Sequence, residues 1–167
     1  VDGADTLTQS IDNIASDSGT LKFKFTPRHD FADADKFGED YPTVATFYTD
    51  DDNYIKLLRQ DDSTLRLNAE FNATVVNADW SSPTLNAGTE YEVEIQYNSG
   101  GSLTLKVDGT QRATQTGVVT FGAHPTTAYF GSDNVGGAQY DAVFSDPDTS
   151  NATIVALDTT DKVFAGG

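Results

Sequence analysis

The sequence contains no cysteine and no methionine. Disulfides, thiol nucleophiles and thiolate metal sites are therefore excluded, and the fold must stand on its apolar core. Basic residues are also scarce: ten Lys and Arg face 26 Asp and Glu, a net charge of −16. Binding a phosphate backbone needs a cationic face, so nucleic acid is excluded as a partner, and an anionic membrane surface is disfavoured for the same reason. No apolar run approaches the roughly 20 residues of a membrane span, so no membrane insertion is expected. The first residues lack the charged and apolar regions of a signal peptide, and a start at Val1 is expected of a processed, trimmed or excised domain. The two histidines, His29 and His124, have neither an H-x-x-x-H spacing nor a nucleophile motif beside them, so no zinc site or triad is expected. Amphipathic helical periodicity, internal repeats and low-complexity segments are absent too.

What is present is a run of alternation. In TEYEVEIQYNSGGSLTLKVDGTQR, residues 89–112, Tyr91, Val93, Ile95 and Tyr97 alternate with Glu90, Glu92, Glu94 and Gln96. After Asn98-Ser99-Gly100-Gly101 the pattern resumes as Leu103, Leu105 and Val107. A period of two predicts strands with one buried and one wet face. Asp108-Gly109 supplies the positive backbone angles of a two-residue primed hairpin turn. Elsewhere, Leu7 and Ile11 predict a first edge strand, and Leu21, Phe23 and Phe25 a second strand. A long loop follows over 28–42, then a hairpin across Asp50-Asp51-Asp52-Asn53, and strands over 65–71 and 73–78. Residues 79–83 read as a loop, and strands over 118–121, 126–131 and 137–144 complete the set. About twelve short strands in 167 residues predict one all-β domain spanning 1–167, an antiparallel β-sandwich, with 145–167 an extra strand or a C-terminal arm. The expected core is Leu21, Phe23, Phe25, Leu65, Leu67, Tyr91, Val93, Ile95, Leu103, Leu105, Val107, Tyr140 and Ala142.

LTLKVDGTQRA resembles the strand, Asp-Gly, strand hairpin of laminin-G-like and concanavalin-A-like jelly rolls. Tyr129-Phe130-Gly131 with the run GAQYDAVF, residues 137–144, is similar to the closing strands of that family. GTLKFKFTP, residues 19–27, resembles its "GTIEFWFKP" strand, found in bacterial and phage surface proteins. The tryptophan that often opens the family's central strand is absent, Tyr91 or Glu90 standing there instead. The resemblance implies a jelly roll and, as ligand class, glycan, with calcium as a structural ion.

Four groups of residues are candidates for chemistry. Asp50, Asp51, Asp52 and Asn53 place several hard oxygens at one hairpin tip, the donor type calcium takes, although EF-hand spacing is missing. Rival tips are Asp61-Asp62 and Asp133-Asn134, which as turn sequences need no metal. Glu90, Glu92 and Glu94 resemble the E-x-D-x-E strand of laminarinases and lichenases, with Glu92 in place of the central aspartate; the alternation predicts a solvated stripe instead. Trp80, the only tryptophan, with Asp79 beside it and Tyr41 in the long loop, is the candidate ligand-binding set, an exposed indole being able to stack on a sugar or anchor a partner. A lone Trp is equally a core plug. Asn72 and Asn151 open glycosylation sequons, which matter only in a eukaryotic secretory route.

The reading that follows is a non-catalytic recognition or adhesion module, extracellular or on a virion surface, that binds glycan or a surface protein. The alternative is a structural assembly protein, such as a capsid decoration, tail or filament subunit, forming a homo-oligomer or virion assembly without sugar binding. A β-glucan hydrolase resting on the Glu stripe ranks below both.

Overall fold

The computed structural model describes residues 7–10, 18–33, 42–61, 63–98, 100–117, 123, 125–131 and 142–149. Eleven strands and no helix are found among them: β1 (Leu7–Ser10), β2 (Ser18–Pro27), β3 (Thr43–Asp50), β4 (Asn53–Asp61), β5 (Thr64–Phe71), β6 (Thr74–Ser81), β7 (Tyr91–Asn98), β8 (Ser102–Val107), β9 (Thr110–Thr116), β10 (Thr127–Phe130) and β11 (Ala142–Thr149). They form two antiparallel sheets, one of six strands in the order β1-β10-β3-β4-β5-β6 and one of five in the order β11-β2-β7-β8-β9.

The alternation seen in the sequence is the alternation of burial. Along β2 and β7 every second residue is buried, from Leu21, Phe23 and Phe25 to Tyr91, Val93, Ile95 and Tyr97. Facing them from the other sheet are Phe47, Ile55, Leu57, Leu65, Leu67, Ala69, Phe71, Ala128 and Phe130. The Phe23 ring bridges the two layers, with its centroid 6.3 Å from Phe47 and 5.4 Å from Phe130, the latter edge-on. Edge-on and tilted rings at these separations place positive ring edges near negative ring faces. Of the expected core, Tyr140 lies outside the described residues and only the strand position of Ala142 is described. Every other member is buried.

The turns follow from residue chemistry where that chemistry is present. Asp108 (φ 51°) and Gly109 (φ 71°) form the primed turn that pairs Val107 with Thr110. A second such turn, Asn72 (φ 51°) and Ala73 (φ 61°), joins β5 to β6, so the strand expected from residue 73 begins at Thr74. An alanine is strained there. Tertiary hydrogen bonds hold it: Ala73 N donates to the Asp52 carbonyl at 3.2 Å, and Asn72 N to Asn53 Oδ1 at 3.1 Å.

One element differs from expectation. Residues 79–81, read as part of a loop, are the end of β6. Pairing with β5 overrides the local turn signal, because Trp80 lies opposite Leu65 and Asp79 opposite Arg66, giving each a cross-strand partner. The chain turns only at Ser82 (φ 55°), whose amide donates to the Ser63 carbonyl. At the other end of the chain, β11 runs on past Phe144 to Thr149 along β2, with a register break between Ser145 and Asp148. The expected strand over 118–121 and the apolar run 153–157 lie outside the described residues.

Candidate functional site

On the wet face of the five-stranded sheet, Glu94 lies between Lys22 and Lys106, at 2.9 and 3.0 Å. Gln96 Nε2 donates a third bond to it at 2.6 Å. The Lys22 hydrogen bond, followed by that from Lys106, holds the Glu94 carboxyl below the usual range against the opposing effect of burial. A general acid needs its pKa raised, so this site favours the wrong protonation state for the acid of a retaining pair. Glu90 is exposed, 3.7 Å from Lys24. Glu92 is tied through its backbone, its amide donating to Asp108 Oδ1 and its carbonyl accepting from Asp108 N, each at 2.9 Å. Glu90 and Glu94 are thus charge-paired on a surface that supports the strands.

At the β3–β4 tip the aspartates are engaged in local bonds. Asp50 Oδ1 accepts from Asp52 N at 3.0 Å and from Asn53 Nδ2 at 2.9 Å, a side-chain-closed turn. Asp51 Oδ1 accepts from the Tyr48 hydroxyl at 3.0 Å. Asn53 points inward and is only 5% exposed; its Oδ1 accepts from Asn72 N and from Ala123 N, at 3.1 and 3.2 Å. Among the described residues no three His, Cys, Asp or Glu side chains converge as they would around a metal ion. Asp61 closes β4; Asp62, Asp133, Asn134 and His124 lie outside the described residues.

Of the expected ligand-binding residues, Asp79 and Trp80 are not turned to one surface. Asp79 and Trp80 are strand neighbours and so point to opposite faces. Trp80 takes the inward phase with Val76 and Ala78. It is half-buried against the core at the seam where β6 meets β9, and the Arg112 guanidinium sits 4.8 Å from its ring centroid. Asp79 faces outward and holds Arg66 through two bonds, Nε to Oδ1 at 2.7 Å and Nη2 to Oδ2 at 2.8 Å. Tyr41 lies outside the described residues.

Asp79 instead borders a surface that the sequence reading passed over. The outward phase of the six-stranded sheet carries Tyr129 on β10, Tyr48 on β3, Tyr54 and Lys56 on β4, Arg66 and Asn68 on β5, and Asn77 and Asp79 on β6. The register aligns Tyr129, Thr46, Lys56, Asn68 and Asn77 in one row and Tyr48, Tyr54 and Glu70 in the next. Thr46 is fully buried between its neighbours while the tyrosines are half-exposed. Tyr48 and Tyr129 meet edge-on at 6.5 Å, and Lys56 Nζ lies 4.8 Å from the Tyr54 centroid. Asn68 Nδ2 donates to Asn77 Oδ1 at 2.8 Å. Burial, then a hydrogen bond to Glu70, pushes the Tyr54 phenol up to about 12. The Tyr48 phenol is also raised, chiefly by its bond to Asp51. Both rings are thus neutral at physiological pH and pinned by a carboxylate. The signal was in the sequence as aromatics at the polar phase, Tyr48 beside inward Phe47 and Tyr54 beside inward Ile55.

No protein-family model and no curated protein matches the sequence. Solved structures do. The chain is similar to domains LG4-5 of the mouse laminin alpha1 chain, with TM-score 0.62 and 12% identity over 92% of this chain and 40% of that one. It is similar to the binding domain of botulinum neurotoxin serotype G, with TM-score 0.65 and 11% identity over 93% of this chain and 38% of that one. Domain 4 of an extracellular arabinanase from Geobacillus stearothermophilus, solved in complex with arabinotriose, gives TM-score 0.64 and 11% identity over 89% and 68%. The fold is that of a laminin-G-like, concanavalin-A-like jelly roll. The chain spans less than half the length of the laminin and toxin structures. At such identities the likeness extends to the jelly roll itself, and the site has to be argued from this chain's own residues.

Proposed function

We propose that this jelly roll is a non-catalytic recognition module, extracellular or virion-borne, that binds glycan on the outward face of its six-stranded sheet. The observation that carries the reading is the set Tyr48, Tyr54 and Tyr129, three aromatic side chains turned to the wet phase of neighbouring strands. Aromatic faces bury the apolar C–H faces of sugar rings, while the adjacent amide and charged groups of Asn68, Asn77, Lys56 and Arg66 match hydroxyls. Because Tyr48 and Tyr54 are already held by Asp51 and Glu70, little side-chain entropy is left to lose on binding. The toxin binding domain and the arabinotriose complex among the similar structures agree with a binding role. The lysine-pinned Glu94 argues against the hydrolase.

A glycan array read with the purified chain, followed by titration of its best ligand, tests this. Tyr54→Ala and Tyr129→Ala are each expected to weaken binding on the order of tenfold or more, the scale of an aromatic anchor. Trp80→Phe, on the inward phase, is expected to leave the affinity for a monovalent ligand in solution unchanged. Binding that survives both tyrosine truncations and is lost with Trp80 would move the site to the β6–β9 seam, and an array without binding would favour the assembly subunit.

A further inference from the structure

Sheet edges are the places where a β-sandwich invites another chain, because each exposes a row of backbone donors and acceptors. This molecule treats its two sides differently. On one side lie β1 and β11. β1 has only four residues, and β11 carries Asp146, Pro147 and Asp148 with a break in register, all devices that discourage edge pairing. On the other side lie β6 and β9, of eight and seven residues, each with a strand neighbour on one side only among the described residues. Neither contains proline or lysine. Their charged residues are Asp79 and Arg112, so the two edge strands carry no net charge in a chain of −16. Val75, the one exposed large hydrophobic among the described residues, at 53%, sits on this edge, and so does half-buried Trp80 beneath Arg112.

We infer that the β6–β9 side is a homotypic interface, at which a second copy of this chain docks edge to edge and continues both sheets. Charge selects the occupant. Two copies at −16 repel one another over most orientations, and edge strands without net charge let them approach at low electrostatic cost. Tryptophan and arginine are also the residue types that dominate interface energies. A twofold pairing of β6 with its counterpart must place residues of like parity opposite each other, which keeps Val76, Ala78 and Trp80 inward in both copies. The two tyrosine faces then lie on one extended surface, and a weak ligand contact at each becomes bivalent.

The lone tryptophan at the seam supplies a native reporter. Light scattering over a dilution series is expected to show a mass twice the 17.9 kDa chain falling to the monomer, with the Trp80 emission shifting at the same midpoint. Added sodium chloride is expected to tighten the dimer, since screening removes repulsion between the copies. The double variant Val75→Lys with Gln115→Lys changes exposed positions on the two edges. Each copy then brings two ammonium groups to the seam, where edge lysines block strand pairing, an effect that outweighs the small fall in net negative charge. The first also lies opposite Glu70, the cross-strand partner of Val75, so the fold is retained. It is expected to be monomeric with wild-type circular dichroism and melting. Amide exchange at high against low wild-type concentration is expected to protect β6 and β9, which decides the matter even if the double variant does not fold. A monomer at every concentration and salt, a folded double variant that stays dimeric, or protection confined to β1 and β11 would each overturn the inference.

Discussion

Glu94 accepts bonds from two lysines and a glutamine on a face turned to water, and its side chain is only 13% exposed. Its pKa is depressed in the folded state, so the unfolded chain binds its proton more readily. The sign follows: the stabilisation is complete above the unfolded value of about 4.3 and is lost as pH falls through the lower folded value. Glu94→Gln is therefore expected to cost about 1 kcal/mol near pH 7, and the gap between variant and wild type should close below about pH 4. Denaturant titrations at a series of pH values measure this; a gap that stays constant into acid would mean that the lysines are held by something other than charge. The stripe's wet orientation was legible, since Tyr91, Val93, Ile95 and Tyr97 claimed the other phase. Which lysines would meet Glu94 was not, because Lys22 and Lys106 come from strands on either side of β7 and only the sheet order brings them there.

At the scale of elements, Asn53 ties three separate segments together: the β3–β4 tip through Asp50, the β5–β6 turn through Asn72, and the segment at Ala123. Its carboxamide both donates and accepts, which a carboxylate cannot do. Asn53→Asp is expected to destabilise by about 1–3 kcal/mol, since Asp50 Oδ1 keeps only the Asp52 amide of its two donors and faces a second carboxylate where the amide nitrogen stood at 2.9 Å. A thermal melt in chelator measures the cost, and a variant as stable as wild type would show the bonds to be incidental. Turn chemistry made Asp108-Gly109 readable, because the pair is suited to positive φ. The Asn72-Ala73 turn was hidden, because alanine carries no such signal and is held by contacts more distant in sequence. Trp80 was misplaced for a related reason. Ser81, Ser82 and Pro83 announce a turn, yet β5 is long enough to pair β6 through Ser81. The tyrosine face was likewise legible in phase and illegible in grouping, since its members come from three strands that only the order β10-β3-β4 sets side by side.

The charge of the whole molecule bears on the calcium expected at Asp50, Asp51, Asp52 and Asn53. Sixteen excess negative charges oppose compaction, so any salt should stabilise the fold by screening. A calcium ion at this tip would gain more than screening gives, but it would first have to draw Asp50 away from Asn53 and Asp51 away from Tyr48. Each neutral donor surrendered costs about 1 kcal/mol, which pushes such a site toward the weak, roughly millimolar range of extracellular calcium modules. The expectation is an increase in melting temperature at millimolar calcium beyond that produced by sodium of equal ionic strength, growing with the logarithm of calcium concentration. Asp51→Asn with Asp52→Asn should abolish the excess and leave the sodium response in place. Because Asp51 is the chief cause of the raised Tyr48 phenol pKa, calcium bound there should also bring that tyrosine's alkaline titration back toward its ordinary value. Equal responses to calcium and sodium, with Tyr48 titrating unchanged, would reduce the aspartate tip to a self-closed turn on an acidic surface.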